Sequence, residues 1–321
     1  MNIRNLIENS PLCSKVKHHF KFDEALAPYT SFKIGGKAEV LYLPENIAEL
    51  QTLCDFFIKA GVKLSIIGNA SNLLISDEGI KGIVIHIADF TLPSIIKEED
   101  DDIFIHVRAG TLVETLLQFC IDNEISGLED FGGLPASIGG ATFMNAKCFD
   151  TSISDVLVSA EIMTISEHGA SLGQYKMQQK DWGYKSSPFQ KCTSGISIQA
   201  GRNLILSCIF RLKKGKKEEI KAKIEEKKSL RISKRQFEFP SAGSVFKNDY
   251  TIGIPTGKLV SDAGLLGLQC GAAQVAEWHG NFIINRGGAS SKDVLRLMEQ
   301  VKEAIKKQYG ILLESEVIYC E

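Results

Sequence analysis

Gly132-Gly133-Leu134-Pro135-Ala136-Ser137-Ile138-Gly139-Gly140-Ala141-Thr142-Phe143-Met144-Asn145 gathers two glycine pairs around a proline, with no charged side chain in the run. Glycine accepts positive φ and lets backbone approach a ligand closely, and Pro135 stiffens the turn between the pairs. Ser137 is placed to cap a short helix starting at the second pair. The first N–H groups of that helix would then be free for an anion, a way to hold a diphosphate without a basic cluster. A tight turn into a buried helix explains the same residues, because Ala141, Phe143 and Met144 suit a core. Taken alone, the stretch leaves both readings open.

An earlier loop shifts the balance. Ile47, Leu50, Leu53, Cys54, Phe57 and Ile58 share one face of a helix expected over 45–60, with Gly61 as its stop. Strands are expected on either side, over 38–43 and 62–67, which gives a parallel strand–helix–strand unit with a right-handed crossover. The second strand runs into Gly68-Asn69-Ala70-Ser71-Asn72, small polar residues at the carboxyl end of a strand, where α/β sheets bind ligands. The loop is neither a dinucleotide fingerprint nor a Walker loop, and a long surface turn is its plain alternative. Leu73-Leu74-Ile75 would anchor it on a core. Thr30-Ser31-Phe32-Lys33-Ile34-Gly35-Gly36 reads as a bend into the sheet, and residues 1–21 suit a short packed helix.

Composition limits the function. The chain has 321 residues, 44% of them hydrophobic and 24% charged, as in an ordinary soluble protein. A net charge of −2 argues against a protein that wraps nucleic acid or lies on anionic lipid. The cysteines at 13, 54, 120, 148, 192, 208, 270 and 320 show no C-x-x-C pair and no zinc spacing to histidine, so no metal is expected. Cys54, Cys120 and Cys208 read as small core residues in a reducing compartment. Without a signal-peptide pattern or a membrane-length apolar run, the expectation is a cytoplasmic protein.

Further along, strands are expected over 82–87, 103–109, 156–165 and 204–212, with a solvated acidic turn at 98–102. Thr111 and Glu114 suggest a capping box for a helix reaching about Asn123. The run 213–235 reads as a mostly exposed charged helix, and a domain boundary is expected near Lys213. A helix over 291–309 should stop at Gly310, followed by a strand over 312–319. Candidate acid–base groups are Ser244, Lys247, Asn248, His279 and Glu316. Their spacing identifies no reaction, and Ser244 lacks the setting of a hydrolase nucleophile.

Seven stretches in order are similar to motifs of the UDP-N-acetylenolpyruvoylglucosamine reductases: 30–36, 68–74, 133–145, 184–187, 241–248, 279–285 and 313–317. The run Gly280-Asn281-Phe282-Ile283-Ile284-Asn285 resembles the second, shorter type of that enzyme. The resemblance implies an α+β protein: a two-lobed FAD-binding fold of the vanillyl-alcohol oxidase type (residues 1–90 and 91–212) and a C-terminal α+β substrate domain (213–321). It implies non-covalent FAD on Gly68, Asn69, Ala70, Ser71 and Asn72 in one lobe. Gly133, Ser137, Gly139, Gly140 and Asn145 would hold it in the other.

By the same resemblance, NADPH is the hydride donor and an enolpyruvyl UDP-sugar the acceptor, in the second step of peptidoglycan precursor synthesis. Ser244 matches the proton donor and Glu316 the acid that polarises the enolpyruvyl group, while Tyr184, Lys247 and Asn248 match substrate contacts. Lys185 stands where the family usually has arginine, a mobile point charge in place of a planar fork. Ala136 and Lys147 stand where glycine is common. The expected partner is the UDP-sugar alone, with no metal, nucleic acid or membrane, and the expected state is a monomer. Another flavoenzyme of the same fold, or a non-catalytic flavin or UDP-sugar binder, are the alternatives.

Overall fold

The structure, a computed structural model, describes residues 2–87, 92–191, 195–198 and 201–321. Cys192 and the boundary expected between residues 90 and 91 lie outside the described residues. The chain divides into two compact units. The first comprises 1–23, 39–69 and 82–229, and the second 24–38, 70–81 and 230–321.

In the first unit, helix Ile47–Lys59 forms where the apolar face demands it. Asn46 caps it by accepting from Glu49 N, and Leu50, Leu53, Cys54 and Phe57 are buried. They pack with Val40, Tyr42, Leu64 and Ile83 of a five-stranded sheet. The flanking strands Lys37–Tyr42 and Leu64–Ile67 do not pair with each other, because Ile80–His86 lies between them and runs parallel to Leu64–Ile67. The expected N-terminal helix is present as Ile3–Asn9 and Pro11–Ser14.

The second sheet of this unit is antiparallel, in the order Gly169–Lys176, Leu157–Ser166, Asn203–Lys214, Asp102–Arg108, Ser94–Glu99. Strand Gly169–Lys176 lies in sequence between two expected strands, Leu157–Ser166 and Asn203–Lys214, and is not itself among those expected. Ser171, Leu172, Gly173 and Gln174 are exposed in succession, so the strand lacks the alternation that marks a half-buried one. The acidic turn shrinks to 100–101, its flanks being drawn into the strands. Helix Val113–Asp122 lacks the expected capping box. Its N-cap is Leu112, and Val113 N donates to Ala136 O at 2.9 Å, so backbone of the glycine stretch replaces a Thr111 cap.

In the second unit, a four-stranded sheet runs in the order Ser241–Ser244, Phe282–Asn285, Ala273–Val275, Gln269–Cys270. Helix Ser291–Tyr309 forms as expected, between a Ser290/Asp293 capping box and Gly310 at φ +71°. It buries Val294, Leu297, Met298, Val301 and Ile305 with Val245, Phe246 and Ile283. The final strand is only Ile318–Cys320, pairing parallel with Leu73–Ile75. The segment before it keeps a single bridge, Ser315 to Phe246.

Among the described residues, no helix is long and apolar enough to cross a membrane. Cys54, Cys120 and Cys208 are buried, and burial pushes each thiol up to about 12, as suits core residues.

Candidate active site

Ser137 caps helix Ile138–Phe143, its Oγ accepting from Gly140 N at 3.3 Å. The helix nevertheless does not present free N–H groups. Ile138 N donates to Thr111 O at 2.8 Å and Gly139 N to Ala109 O at 2.7 Å. With Gly140 N on Ser137, the first amides are already satisfied, which corrects the expectation of an anion site there.

The amides without partners belong to the other loop. Among the described residues, the N–H groups of Asn69, Ala70 and Ser71 donate to no protein acceptor. Ala70 has φ +45°, an alternation that turns successive N–H groups the same way into an anion-binding concavity.

The glycines differ in what they protect. A Cβ on Gly68 would fall 2.3 Å from Ser137 Oγ, and one on Gly139 would fall 2.8 Å from Ala109 Cβ. Gly140 is exposed, and a Cβ there would meet only Ser137 Oγ, at 3.2 Å. Gly68 and Gly139 therefore let backbone elements close on each other, whereas Gly140 leaves an open surface. Asn69 Nδ2 donates to Pro135 O at 2.8 Å, tying the two loops together. Gly140 thus leaves backbone open to a ligand, and the Asn69–Ser71 amides are of the kind that meets a diphosphate.

Tyr184 and Lys185 sit at the tip of a tight turn closed by mutual Gly183–Ser186 backbone bonds of 3.1 Å. Lys185 is held at φ +53°. Three contacts fasten this turn to the end of helix Ile138–Phe143. Asn145 Nδ2 donates to Gly183 O at 2.8 Å, Ser187 Oγ to Phe143 O at 2.6 Å, and Gln190 Nε2 to Phe143 O at 3.0 Å. Asn145 Oδ1 also accepts from Ser154 N at 3.0 Å, so its side chain holds protein together. Lys147 is exposed.

In the second unit, Ser244 ends strand Ser241–Ser244 beside an irregularity in its pairing with Phe282–Asn285. Gly243 takes φ +73° at that irregularity, a bulge that re-aims the next side chain. Among the described residues, no hydrogen-bond partner takes the Ser244 hydroxyl, so it is not a turn serine bonded to its own backbone. Ser244 lines a cavity of about 400 Å³ with Asn248, Lys258, Trp278, His279 and Asn281.

Glu316 N donates to Val245 O at 2.8 Å, bringing Glu316 next to the Ser244 strand, and Glu316 O accepts from Asn72 Nδ2 at 3.0 Å. Lys247 Nζ pairs with Glu314. Asn248 Oδ1 accepts from Thr256 N at 2.9 Å, which holds the start of helix Thr256–Asp262. Burial, with help from the Lys234 charge, pulls the His279 pKa below its usual value; the ring is neutral at pH 7, and its Nδ1 accepts from Asn281 N at 3.2 Å.

Asn281 has a role the sequence reading did not assign. Its buried side chain accepts from Phe246 N at 2.9 Å and donates to Phe246 O at 2.8 Å, while its carbonyl accepts from Val245 N at 2.9 Å. It clamps the two residues after Ser244 on both polar groups of one peptide neighbour. The signal available beforehand was a polar residue opening the apolar run Phe282-Ile283-Ile284.

Comparison with known proteins agrees with this geometry. Residues 235–320 match the family described as UDP-N-acetylenolpyruvoylglucosamine reductase, C-terminal domain, and residues 38–169 match the FAD binding domain family. A UDP-N-acetylenolpyruvoylglucosamine reductase of Treponema denticola is 44% identical over 318 residues, covering 99% of this chain and 98% of its own. One from Bacillus subtilis is 37% identical, with 92% of each chain covered. The crystal structure of UDP-N-acetylenolpyruvylglucosamine reductase from Thermus caldophilus is 30% identical. It superposes with a TM-score of 0.74 over 94% of this chain and 98% of its own.

Proposed function

Because the chain belongs to the UDP-N-acetylenolpyruvoylglucosamine reductase family, we propose that it reduces the enolpyruvyl group of UDP-N-acetylglucosamine enolpyruvate to give UDP-N-acetylmuramate, using NADPH and non-covalent FAD. Bound FAD supplies the means of passing a hydride equivalent from NADPH to the sugar nucleotide. Gly68, Asn69, Ala70, Ser71, Asn72, Gly133, Ser137, Gly139, Gly140 and Asn145 hold it. Gly140 would leave room for backbone approach, and the Asn69–Ser71 amides would serve the diphosphate.

The observation that carries this reading is the uncommitted Ser244 hydroxyl on a cavity wall, with Glu316 bonded in beside its strand. Adding hydride to one vinyl carbon leaves an electron pair on the other, next to the carboxylate, and that carbon takes a proton. Ser244 Oγ donates it. Glu316 polarises the enolpyruvyl group from the segment bonded beside the Ser244 strand. Lys185 supplies positive charge for the substrate carboxylate and for the charge that builds beside it, while Tyr184, Lys247 and Asn248 position the nucleotide sugar. This reading carries with it the division into residues 1–90, 91–212 and 213–321. It also implies a monomeric cytoplasmic enzyme with no metal, nucleic-acid or membrane partner in the reaction.

NADPH oxidation measured with and without the enolpyruvyl sugar nucleotide tests it. Oxidation that depends on the sugar nucleotide and yields one reduced product per NADPH supports the reductase. A yellow protein that oxidises NADPH only at the expense of oxygen, whatever sugar nucleotide is present, would overturn it.

A further inference from the structure

We infer that His18, His19 and Glu45 form a binding site for a single divalent zinc ion, separate from the flavin and substrate groups. The three ligating atoms lie within 4.8 Å of one another, and His18 and Glu45 are exposed while His19 is buried. His19 is only 6% exposed, yet its Nε2 makes no hydrogen bond of acceptable direction. That nitrogen is 2.9 Å from Glu45 Oε1, an ion-pair contact in which a bound cation would take the place of the ring proton.

The other side of the ring is built as metal sites build it. His19 Nδ1 is 2.8 Å from Glu49 Oε1, which in turn accepts from Tyr42 Oη at 2.7 Å. A carboxylate on the far ring nitrogen would hold the Nδ1 proton when zinc displaces the one on Nε2, and makes the imidazole a better donor. Glu49 is anchored within a helix whose N-cap, Asn46, follows Glu45 directly.

The donor set selects the ion. Two imidazoles and one carboxylate suit zinc, which takes a water as its fourth ligand, whereas calcium would need six or more oxygens. A tetrahedral zinc with bonds of roughly 2.0–2.2 Å separates its ligand atoms by about 3.3–3.5 Å. The exposed His18 and Glu45 side chains are the ones that would turn to reach that spacing, with the buried His19 as the fixed ligand. The ion would join the turn Lys17–His19 to the start of helix Ile47–Lys59. A cysteine-based search for metal spacing misses the set, because Glu45 reaches it only through the fold.

Zinc chloride is titrated calorimetrically into the tag-free, FAD-loaded full chain after chelator treatment, with bound metal counted by mass spectrometry. We expect one equivalent of zinc and a rise in the thermal midpoint. His18→Ala and Glu45→Gln, both at exposed positions, should weaken binding at least tenfold and abolish the rise. Cys270→Ser should bind as wild type does. Wild-type protein that takes up no stoichiometric zinc, or His18→Ala and Glu45→Gln proteins that bind it undiminished, would overturn the site.

Discussion

Replacing Asn281 with alanine removes both side-chain bonds to Phe246, of 2.9 and 2.8 Å, and leaves that residue's N–H and C=O without partners. Phe246 is 1% exposed, so the freed groups begin desolvated. Orphaning each costs about 1–3 kcal/mol. Asn281 borders the cavity of about 400 Å³, so the truncation opens a path for water to reach one or both groups. That holds the loss near the low end, at about 2–3 kcal/mol. At about 1.4 kcal/mol per tenfold, the Phe246 amide should exchange its hydrogen roughly 30- to 150-fold faster by local opening. Hydrogen-exchange mass spectrometry on peptides spanning 241–248 reads this directly, with strand Asn203–Lys214 as an internal control that should not change. Because Val245 and Phe246 follow Ser244, the variant should also slow the substrate half-reaction while flavin reduction by NADPH stays near wild type. Wild-type exchange at Phe246 in a folded Asn281→Ala protein would refute the clamp.

Ser244→Ala should leave flavin reduction by NADPH nearly intact and slow reoxidation by the enolpyruvyl sugar nucleotide by ~10²–10⁴-fold. Ser244→Cys should recover part of that loss, and stopped-flow flavin absorbance separates the two halves. Lys185→Ala should lower turnover far more than FAD content, with Lys185→Arg remaining active; wild-type turnover in the alanine variant would remove Lys185 from the mechanism. Gly140→Val should purify without yellow colour but with a normal circular dichroism spectrum, because its added atoms meet open surface, whereas Gly139→Val should lose the fold against Ala109. His279 is held neutral in the folded state, so the unfolded chain binds its proton first as pH falls through about 6.5. Its contribution to stability is therefore intact above that value and declines below it, and the urea midpoint of His279→Gln should fall less than wild type between pH 7.5 and 5.

What the sequence reveals follows how local each cause is. Helix Ser291–Tyr309 was legible to both ends, since its capping box, apolar face and Gly310 all lie within one continuous stretch. Ser137 as a cap was legible for the same reason. The fate of the amides that Ser137 leaves behind was not, because Ala109 and Thr111 take them from across the fold. The same pairing displaced the Thr111 capping box. Ser244 stood out through the glycine before it, but Asn281 did not, since its value lies in matching a residue 35 positions away. The family likeness supplied roles for Ser244 and Glu316; the structure adds that a backbone bond ties Glu316 to Val245, the residue after Ser244.

The second unit is assembled from pieces that the ribosome makes far apart. Among the described residues, Leu73–Ile75 pairs with Ile318–Cys320 alone, and the adjoining Asn72–Glu316 bond spans 244 positions. At roughly 5–20 residues per second, the earlier strand waits about 12–50 s for its neighbour. An apolar strand with an open edge recruits whatever edge it meets. During synthesis, Leu73-Leu74-Ile75 is thus a part of the nascent chain that a chaperone has reason to hold.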